Sequence, residues 1–127
     1  MKYVILIHSN PRPWGHPTVD HTEVGRTIPV DQRQQMYKEF DELLAELQAS
    51  GEFLTAEALD DPASSRVYRW EGKWPAGQAV STDGPYAEAK EQLAGFFVFD
   101  FATRERAEEI AAKFAGPGDT IELRPVA

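Results

Sequence analysis

The chain has 127 residues, with 13 basic and 21 acidic side chains, no cysteine and a net charge of -8. This length predicts a single domain over residues 1–127 that buries a core without disulfide bonds. Because so acidic a surface repels phosphate backbones, no nucleic-acid partner is expected. The apolar run within residues 1–8 is too short for a signal peptide or a membrane span, which predicts a cytoplasmic protein without membrane contact.

The first half of the chain predicts a strand, a long loop and a helix. Residues 2–8 form an unbroken aliphatic run, which is typical of a central strand covered on both faces. Residues 10–30 contain four prolines, so regular structure is excluded over most of this segment. Loops of this length are usually functional or disordered, and Trp14 favours a function. Residues 31–50 then show an apolar helical face, with Asp31 as the expected cap.

The second half predicts a strand, a hairpin, a strand, a helix and a closing strand. The hairpin is expected to turn around Gly72 and Lys73. Residues 86–92 are predicted to form one or two helical turns before the next strand. Thr103 is expected to cap the second helix, which glycine at position 116 should end. The predicted strands are residues 52–59, 65–71, 74–82, 95–101 and 120–126.

This order of elements predicts an α+β fold of the ferredoxin-like kind, β-α-β, an inserted β-hairpin, then β-α-β, with both helices on one sheet face. In the phenylalanine-rich strand, Phe97, Phe99 and Phe101 share one face. Phe96 and Val98 lie on the other face. Since a single helical layer covers only one of these faces, the pattern predicts a homodimer that packs sheet against sheet.

Residues 82–96, TDGPYAEAKEQLAGF, closely resemble the signature of the YCII-related, DGPF-domain proteins, which reads roughly DGPFAE(T/A)KExLGGF. The opening MKY and the closing ELRP are also similar to that family, so the resemblance covers the chain apart from a longer loop at residues 10–30. Tyr86 stands where phenylalanine is usual, and Ala94 where the first glycine is usual. The resemblance implies a dimeric α+β barrel and no established reaction.

The resemblance also implies a setting and a type of chemistry. Genes for such proteins often neighbour genes for extracytoplasmic-function sigma factors, which implies a regulatory or stress setting. In the shorter YCII proteins, a histidine and an aspartate form the suggested catalytic unit.

Asp83 and His8 are the predicted catalytic residues of this chain. Asp83 would act as a general base at the lip of a cleft, where an apolar wall raises its pKa. His8, at the end of a central strand, would be its partner. The alternatives are that Asp83 hydrogen-bonds its own turn and that His8 is structural.

Five further side chains are predicted to bind a ligand. Arg12 and Trp14 would form a lid over an anionic or aromatic ligand, although plain packing of Trp14 is an alternative. Glu88 and Lys90 would line the same cleft, and the alternative is that they lie on a solvated turn and pair only weakly. We expect His8, Trp14, Asp83 and Tyr86 to converge on one pocket between the sheet and the loop at residues 10–30. The predicted ligand-binding residues are Arg12, Trp14, Tyr86, Glu88 and Lys90.

No metal or organic cofactor is expected. His16, Asp20, His21 and Glu23 carry nitrogen and oxygen ligands, but their spacing matches no known metal site. The chain also lacks a glycine-rich phosphate loop.

Two functions stay open. The first is a cofactor-free acid–base enzyme acting on a small organic molecule, as an isomerase, lyase or hydrolase. The second is a non-catalytic dimer that binds or senses a small ligand, while haem-type monooxygenase chemistry is a third and weaker possibility.

Overall fold

The computed structural model describes residues 1–127 as a four-stranded sheet with helices and a separate two-stranded hairpin. This arrangement confirms the predicted α+β class. None of the helices is long and apolar enough to cross a bilayer. The strands are β1 (Lys2–Ser9), β2 (Phe53–Ala58), β3 (Arg66–Glu71), β4 (Gln78–Asp83), β5 (Gln92–Asp100) and β6 (Asp119–Pro125). The helices are α1 (Glu23–Arg26), α2 (Val30–Ala49) and α3 (Arg104–Phe114), with 3₁₀ turns at Thr18–His21 and Pro62–Ser64.

The main sheet has the order β2-β5-β1-β6, and every neighbouring pair is antiparallel. β1 and β5 are therefore the central strands, as their unbroken apolar sequences predict. The register places Ile5 between Phe97 of β5 and Leu123 of β6. Between Ile7 and His8 the pairing with β5 shifts by one residue, so Ala94 is an extra residue at a bulge.

The core lies on the sheet face that α2 and α3 cover. Phe40 of α2 and Phe114 of α3 both meet the ring of Phe97, with centroids at 5.9 and 4.9 Å. Phe97 and the side chains on the same face of β5 thus pack the two helices against the sheet. The largest fully buried side chains include Tyr3, Ile5, Leu47, Phe99, Phe101 and Ile110.

The opposite sheet face, called the open face below, carries Val4, Leu6, Phe96 and Val98. Strand alternation and the register of β1 with β5 place these four side chains together, away from the helices. All four remain partly exposed. The single chain therefore leaves an apolar area at the centre of this face, with polar side chains of β6 beside it.

Two helix predictions were wrong in detail. Asp31 does not cap α2, because the helix begins one residue earlier, after Pro29, and has no side-chain cap. Residues 86–92 form no helix. The side-chain amide of Gln92 instead donates to the carbonyl oxygens of Ala87 and Ala89, and β5 already begins at Gln92. The remaining segment is too short for a stable helix.

The hairpin prediction was right in type and wrong in its turn. The strands β3 and β4 pair from Arg66↔Asp83 to Glu71↔Gln78, which leaves six residues in the turn. Pro75, having no N–H, cannot extend the ladder toward a tight turn at Gly72 and Lys73. The predicted cap of α3 is confirmed, since the Thr103 hydroxyl accepts from the backbone N–H of Arg106 at 3.1 Å.

Candidate functional site

The loop at residues 10–30 is fastened to the ends of two strands. The indole Nε1 of Trp14 donates to the carbonyl oxygen of Leu59, just after β2, at 2.9 Å. His16 Nε2 lies 2.9 Å from the same oxygen, and since a carbonyl only accepts, this nitrogen carries a proton. Thr18 Oγ1 donates to Asp119 Oδ2 at the start of β6, at 2.8 Å. The loop that the sequence predicted as a lid is therefore held in place by these hydrogen bonds.

Close packing fixes the middle of this loop. Thr22 Oγ1 accepts from the backbone N–H of Gly25 at 3.0 Å and so begins α1. A Cβ at Gly25 would lie 1.8 Å from the carbonyl oxygen of Val19, which is too close for any side chain. Only glycine therefore allows α1 to pack against the preceding 3₁₀ turn.

A cavity of about 1110 Å³ lies between this loop, α2 and the helix-covered face of the sheet. The wall is mainly apolar, and one end is polar. A site of this volume accommodates a drug-sized organic molecule. The apolar wall includes Ile7, Met36, Phe40, Leu43, Phe97 and Ile121, and the polar end has His16, Asp20, Tyr37 and Asp119.

A hydrogen-bond network fixes part of the polar end. The hydroxyl of Tyr37 and Arg33 Nη1 both donate to Asp20 Oδ1, the latter at 2.7 Å. The bond from Tyr37, together with Arg33, holds the pKa of Asp20 below its usual value. Burial, reinforced by Asp20, raises the pKa of Tyr37 to about 12. At neutral pH the carboxylate is therefore ionised and the phenol neutral, so the network orients groups without exchanging protons.

Sequence reasoning missed Tyr37 and Arg33. Both lie on the first turns of α2, on the side that faces the loop. Their spacing of four residues, with a carboxylate upstream in the loop, was the available signal. This spacing does not show which side of an amphipathic helix a loop will contact, so it does not identify the two residues as part of the site.

His8 lies on the open face, on the other side of the sheet from the cavity. Its Nε2 is 3.1 Å from Glu122 Oε1, and Arg124 Nε donates to Glu122 Oε2 at 2.9 Å. These bonds, that of Arg124 first and that of His8 second, hold the pKa of Glu122 below its usual value. Glu122 is a partner of His8 that the sequence analysis missed, although alternation along β6 places it on this face.

Asp83 ends β4 with its side chain 85% exposed, and its Oδ1 accepts from Arg66 Nη1 at 3.1 Å. Tyr86 is also exposed, and the guanidinium of Arg69 lies 5.4 Å from its ring centroid. No hydrogen bond joins His8 to Asp83. No contact in the structure brings these residues together, and their convergence on one pocket stays a prediction.

Two of the predicted ligand-binding residues line one cleft. Arg12 and Lys90 line a second, polar cleft of about 640 Å³, together with Arg26 and Glu91. Glu88, also predicted, is exposed and lies outside this cleft. A ligand-binding role for these residues stays a prediction.

The four possible metal ligands of the loop have other partners or lie apart. Nowhere do three His, Cys, Asp or Glu residues form a group suited to a metal ion. Asp20 is held by the network described above, and His16 by Leu59. That the protein works without a metal or cofactor stays a prediction.

Comparison with known proteins identifies the family. The family model of the YCII-related domain matches residues 1–126. An uncharacterised protein of Rhizobium meliloti (strain 1021) is 38% identical over 55 residues. That match covers 41% of this chain and only 44% of the Rhizobium protein. With nearly the whole chain matched by the family model, the resemblance predicted from residues 82–96 is confirmed: the chain belongs to the YCII-related family.

Proposed function

We propose that this YCII-related protein binds a small organic molecule in the cavity between the loop, α2 and the sheet. The observation that carries the proposal is the volume of about 1110 Å³ behind a mainly apolar wall with a fixed polar end. Binding is favoured over catalysis at this place, because Tyr37 and Arg33 both donate to Asp20 and so occupy its carboxylate.

Narrowing the cavity is expected to weaken ligand binding. Ala56 lines the cavity from β2, and a leucine there would occupy part of the space. Ligand-observed NMR identifies fragments that bind the parent protein, and Ala56→Leu should lower the affinity for them by about ten-fold or more. Ala79→Leu, at an exposed position of β4, makes the same change outside the cavity and should leave binding unchanged. If Ala56→Leu folds and binds every fragment like the parent protein, the cavity is not the site.

We also propose that the chain is one domain and a homodimer, with the open faces of two sheets packed together as a dimeric α+β barrel. Two features support this. One helical layer leaves Val4, Leu6, Phe96 and Val98 partly exposed. The strand order, with β5 between β1 and β2, is that of the ferredoxin-like split β-α-β fold. Such an interface should bury more than ~1,000 Å².

A charge on the open face is expected to separate the dimer. Val98→Glu places a carboxylate at the centre of this face, and sedimentation velocity at low micromolar concentration should then show a monomer. Val30→Glu is the matched control, since Val30 is 59% exposed at the start of α2. The parent protein and this control should sediment at twice 14.2 kDa. A stable, folded monomer of the parent protein would refute the dimer.

A second candidate function, acid–base catalysis, is favoured by the pair of His8 and Glu122 on the open face. A carboxylate that holds one imidazole nitrogen orients the ring, and the other nitrogen is then the candidate base for an isomerase, lyase or hydrolase reaction. The hypothesis assigns Asp83 to this site only if dimer formation brings the β3–β4 hairpin over the open face.

Asp83→Asn tests the form of the enzyme hypothesis that the sequence predicts, in which Asp83 is the base and His8 its partner. For an enzyme in which Asp83 is the base, the variant should lose turnover by about a hundred-fold or more. For a binding protein, ligand affinity should be largely spared. Loss of turnover with retained affinity, in a variant with the stability of the parent, would favour the enzyme.

A further inference from the structure

The β3–β4 hairpin extends from the protein with little packing against the rest of its chain. All of its strand residues are exposed except Val67 and Val80, which are partly buried. Its side-chain hydrogen bonds stay within the hairpin, where Arg66 donates to Ser81 and Asp83. A two-stranded hairpin alone is only marginally stable in water. This hairpin therefore gains stability from packing on a surface that its own chain does not provide.

One side of the hairpin, called the aromatic face below, carries Tyr68, Trp70 and Trp74. Alternation puts Tyr68 and Trp70 on the same side of β3, and the ring centroid of Trp74 in the turn lies 5.0 Å from that of Trp70. The three residues are 68%, 45% and 74% exposed. Tyrosine and tryptophan are the apolar anchors most enriched where proteins bind one another, so the aromatic face has the composition of an interaction surface.

The area of the aromatic face favours a second copy of the chain as the partner. The apolar side chains of the open face are each only partly exposed, so two open faces alone offer limited apolar area to a dimer. An aromatic side chain buries about 150–250 Å², so the aromatic faces of two copies would add roughly 600–900 Å². This is more than a third of a standard interface of about 1,600 Å².

The charges of the hairpin complement those of the rest of the chain. Residues 66–83 carry three of the 13 basic and two of the 21 acidic side chains, a net charge of +1 that leaves -9 for the other residues. A second copy therefore attracts the hairpin. Nucleic acid, which also stacks on exposed aromatic rings, is disfavoured by the net charge of -8.

The hairpin leaves the sheet at the end that carries His8 and Glu122. β2 ends at Ala58, which pairs with Gly95, and Gly95 pairs with Ile7 beside His8. When two open faces pack about a two-fold axis along the strands, β2 of one copy lies over β6 of the other, and these ends meet. The hairpin of one copy then reaches the β6 side of the other copy's open face.

We propose that the hairpin is a dimerisation arm, whose aromatic face packs on the open face of a second copy, over His8 and Glu122. A two-fold dimer makes this contact twice, since each copy gives one arm and receives one. The side chains of His8 and Glu122 are 30% and 36% exposed in the single chain, and rings of the second copy complete their site. This inference rests on the proposed homodimer and names the contact that completes it.

Trp74→Ala should raise the dimer dissociation constant, measured by sedimentation velocity over a series of concentrations. Truncating a tryptophan in an interface costs about ten-fold or more for each contact, and a two-fold dimer loses two contacts, so about a hundred-fold is expected. Tyr86→Ala is the matched control. Its ring is 75% exposed and lies against Arg69, on the other side of β3, so the constant should change by no more than about three-fold.

A spin label tests the contact with the aromatic face intact, and so decides the case if Trp74→Ala does not fold. The chain has no cysteine, so Thr82→Cys gives a single thiol for a nitroxide, on the side of β4 away from the aromatic face. In dimers of one spin-labelled and one isotope-labelled copy, the amide signals of His8 and Glu122 in the isotope-labelled copy should broaden. The same label at Asp31→Cys, on the helix side of the sheet, should leave them unchanged.

The outcomes separate the arm from the dimer. Suppose that the parent protein is a dimer and that Val98→Glu separates it. If a folded Trp74→Ala then associates like the parent, or the label at Thr82→Cys leaves these signals sharp, the arm is wrong and the packing of the two sheets stands. If the parent protein is a monomer, both proposals are wrong.

Discussion

Replacing Phe99 by alanine is expected to lower the free energy of unfolding by about 3–5 kcal/mol. Phe99 is completely buried, and its ring centroid lies 5.1 to 6.0 Å from those of Phe53, Phe97, Phe101 and Phe114. Truncation removes contacts with all four rings and leaves a cavity that rings held by three different elements cannot close. Urea denaturation followed by circular dichroism measures the change.

Tyr86→Ala serves as the control for Phe99→Ala. It removes an aromatic ring of similar size that is 75% exposed, so the stability should change by no more than about 0.5 kcal/mol. The proteins must be compared at one concentration, because association adds to apparent stability. A loss below about 1 kcal/mol in Phe99→Ala would show that the aromatic cluster is not the core that holds the sheet to its helices.

The second large effect is expected for Arg106→Ala on α3. Arg106 Nε and Nη2 donate to the two carboxylate oxygens of Glu52 at 3.0 and 3.1 Å, and the Glu52 side chain is only 19% exposed. Removing the guanidinium leaves a mostly buried carboxylate with Ser50 as its remaining side-chain donor, at a cost of about 1–3 kcal/mol. Arg104→Ala, in a pair with Glu108 that is more than half exposed on both sides, should cost less than about 0.5 kcal/mol.

The cost of Arg106→Ala should depend on pH. The hydrogen bonds from Arg106 hold the pKa of Glu52 below its usual value. A carboxyl group with a lowered folded-state pKa adds its full stability above the unfolded-state pKa, about 4.3, and loses it as the pH falls through the folded-state pKa. The stability gap between the parent protein and Arg106→Ala should therefore be constant from pH 6 to 7 and shrink below about pH 4.5. A gap that widens in acid would contradict the assignment.

The sequence predicted the central strands and the second helix well, because their signals come from burial and capping. The aliphatic run of β1 and the phenylalanine run of β5 require cover on both faces, wherever they lie in the fold. Residues 86–92 show the limit of local propensity. Ala, Glu and Lys favour a helix there, but Gln92 belongs to β5. The hydrogen bonds between β5 and its neighbouring strands stabilise the chain more than the helix propensity of a few residues.

The site was harder to predict, because it depends on side-chain direction. Ile7 and His8 are neighbours in β1, so alternation sends one toward the cavity and the other to the open face. Which of them faces the helices follows from the whole sheet and not from the strand's own residues. A pocket between the sheet and the loop at residues 10–30 was expected, but none of the residues predicted to form it lines this cavity. Its polar partners Tyr37 and Arg33 depend on how that loop folds.

The strand order has a consequence for synthesis. β1 leaves the ribosome before the other strands, yet both of its neighbours, β5 and β6, come from the last third of the residues described. At about 5–20 residues per second, roughly five to twenty seconds pass before either edge of this apolar strand can be paired. During that time the nascent chain presents a short β-prone segment with two open edges, which is a site for wrong pairing. A chaperone that protects the nascent chain should therefore bind mainly at β1.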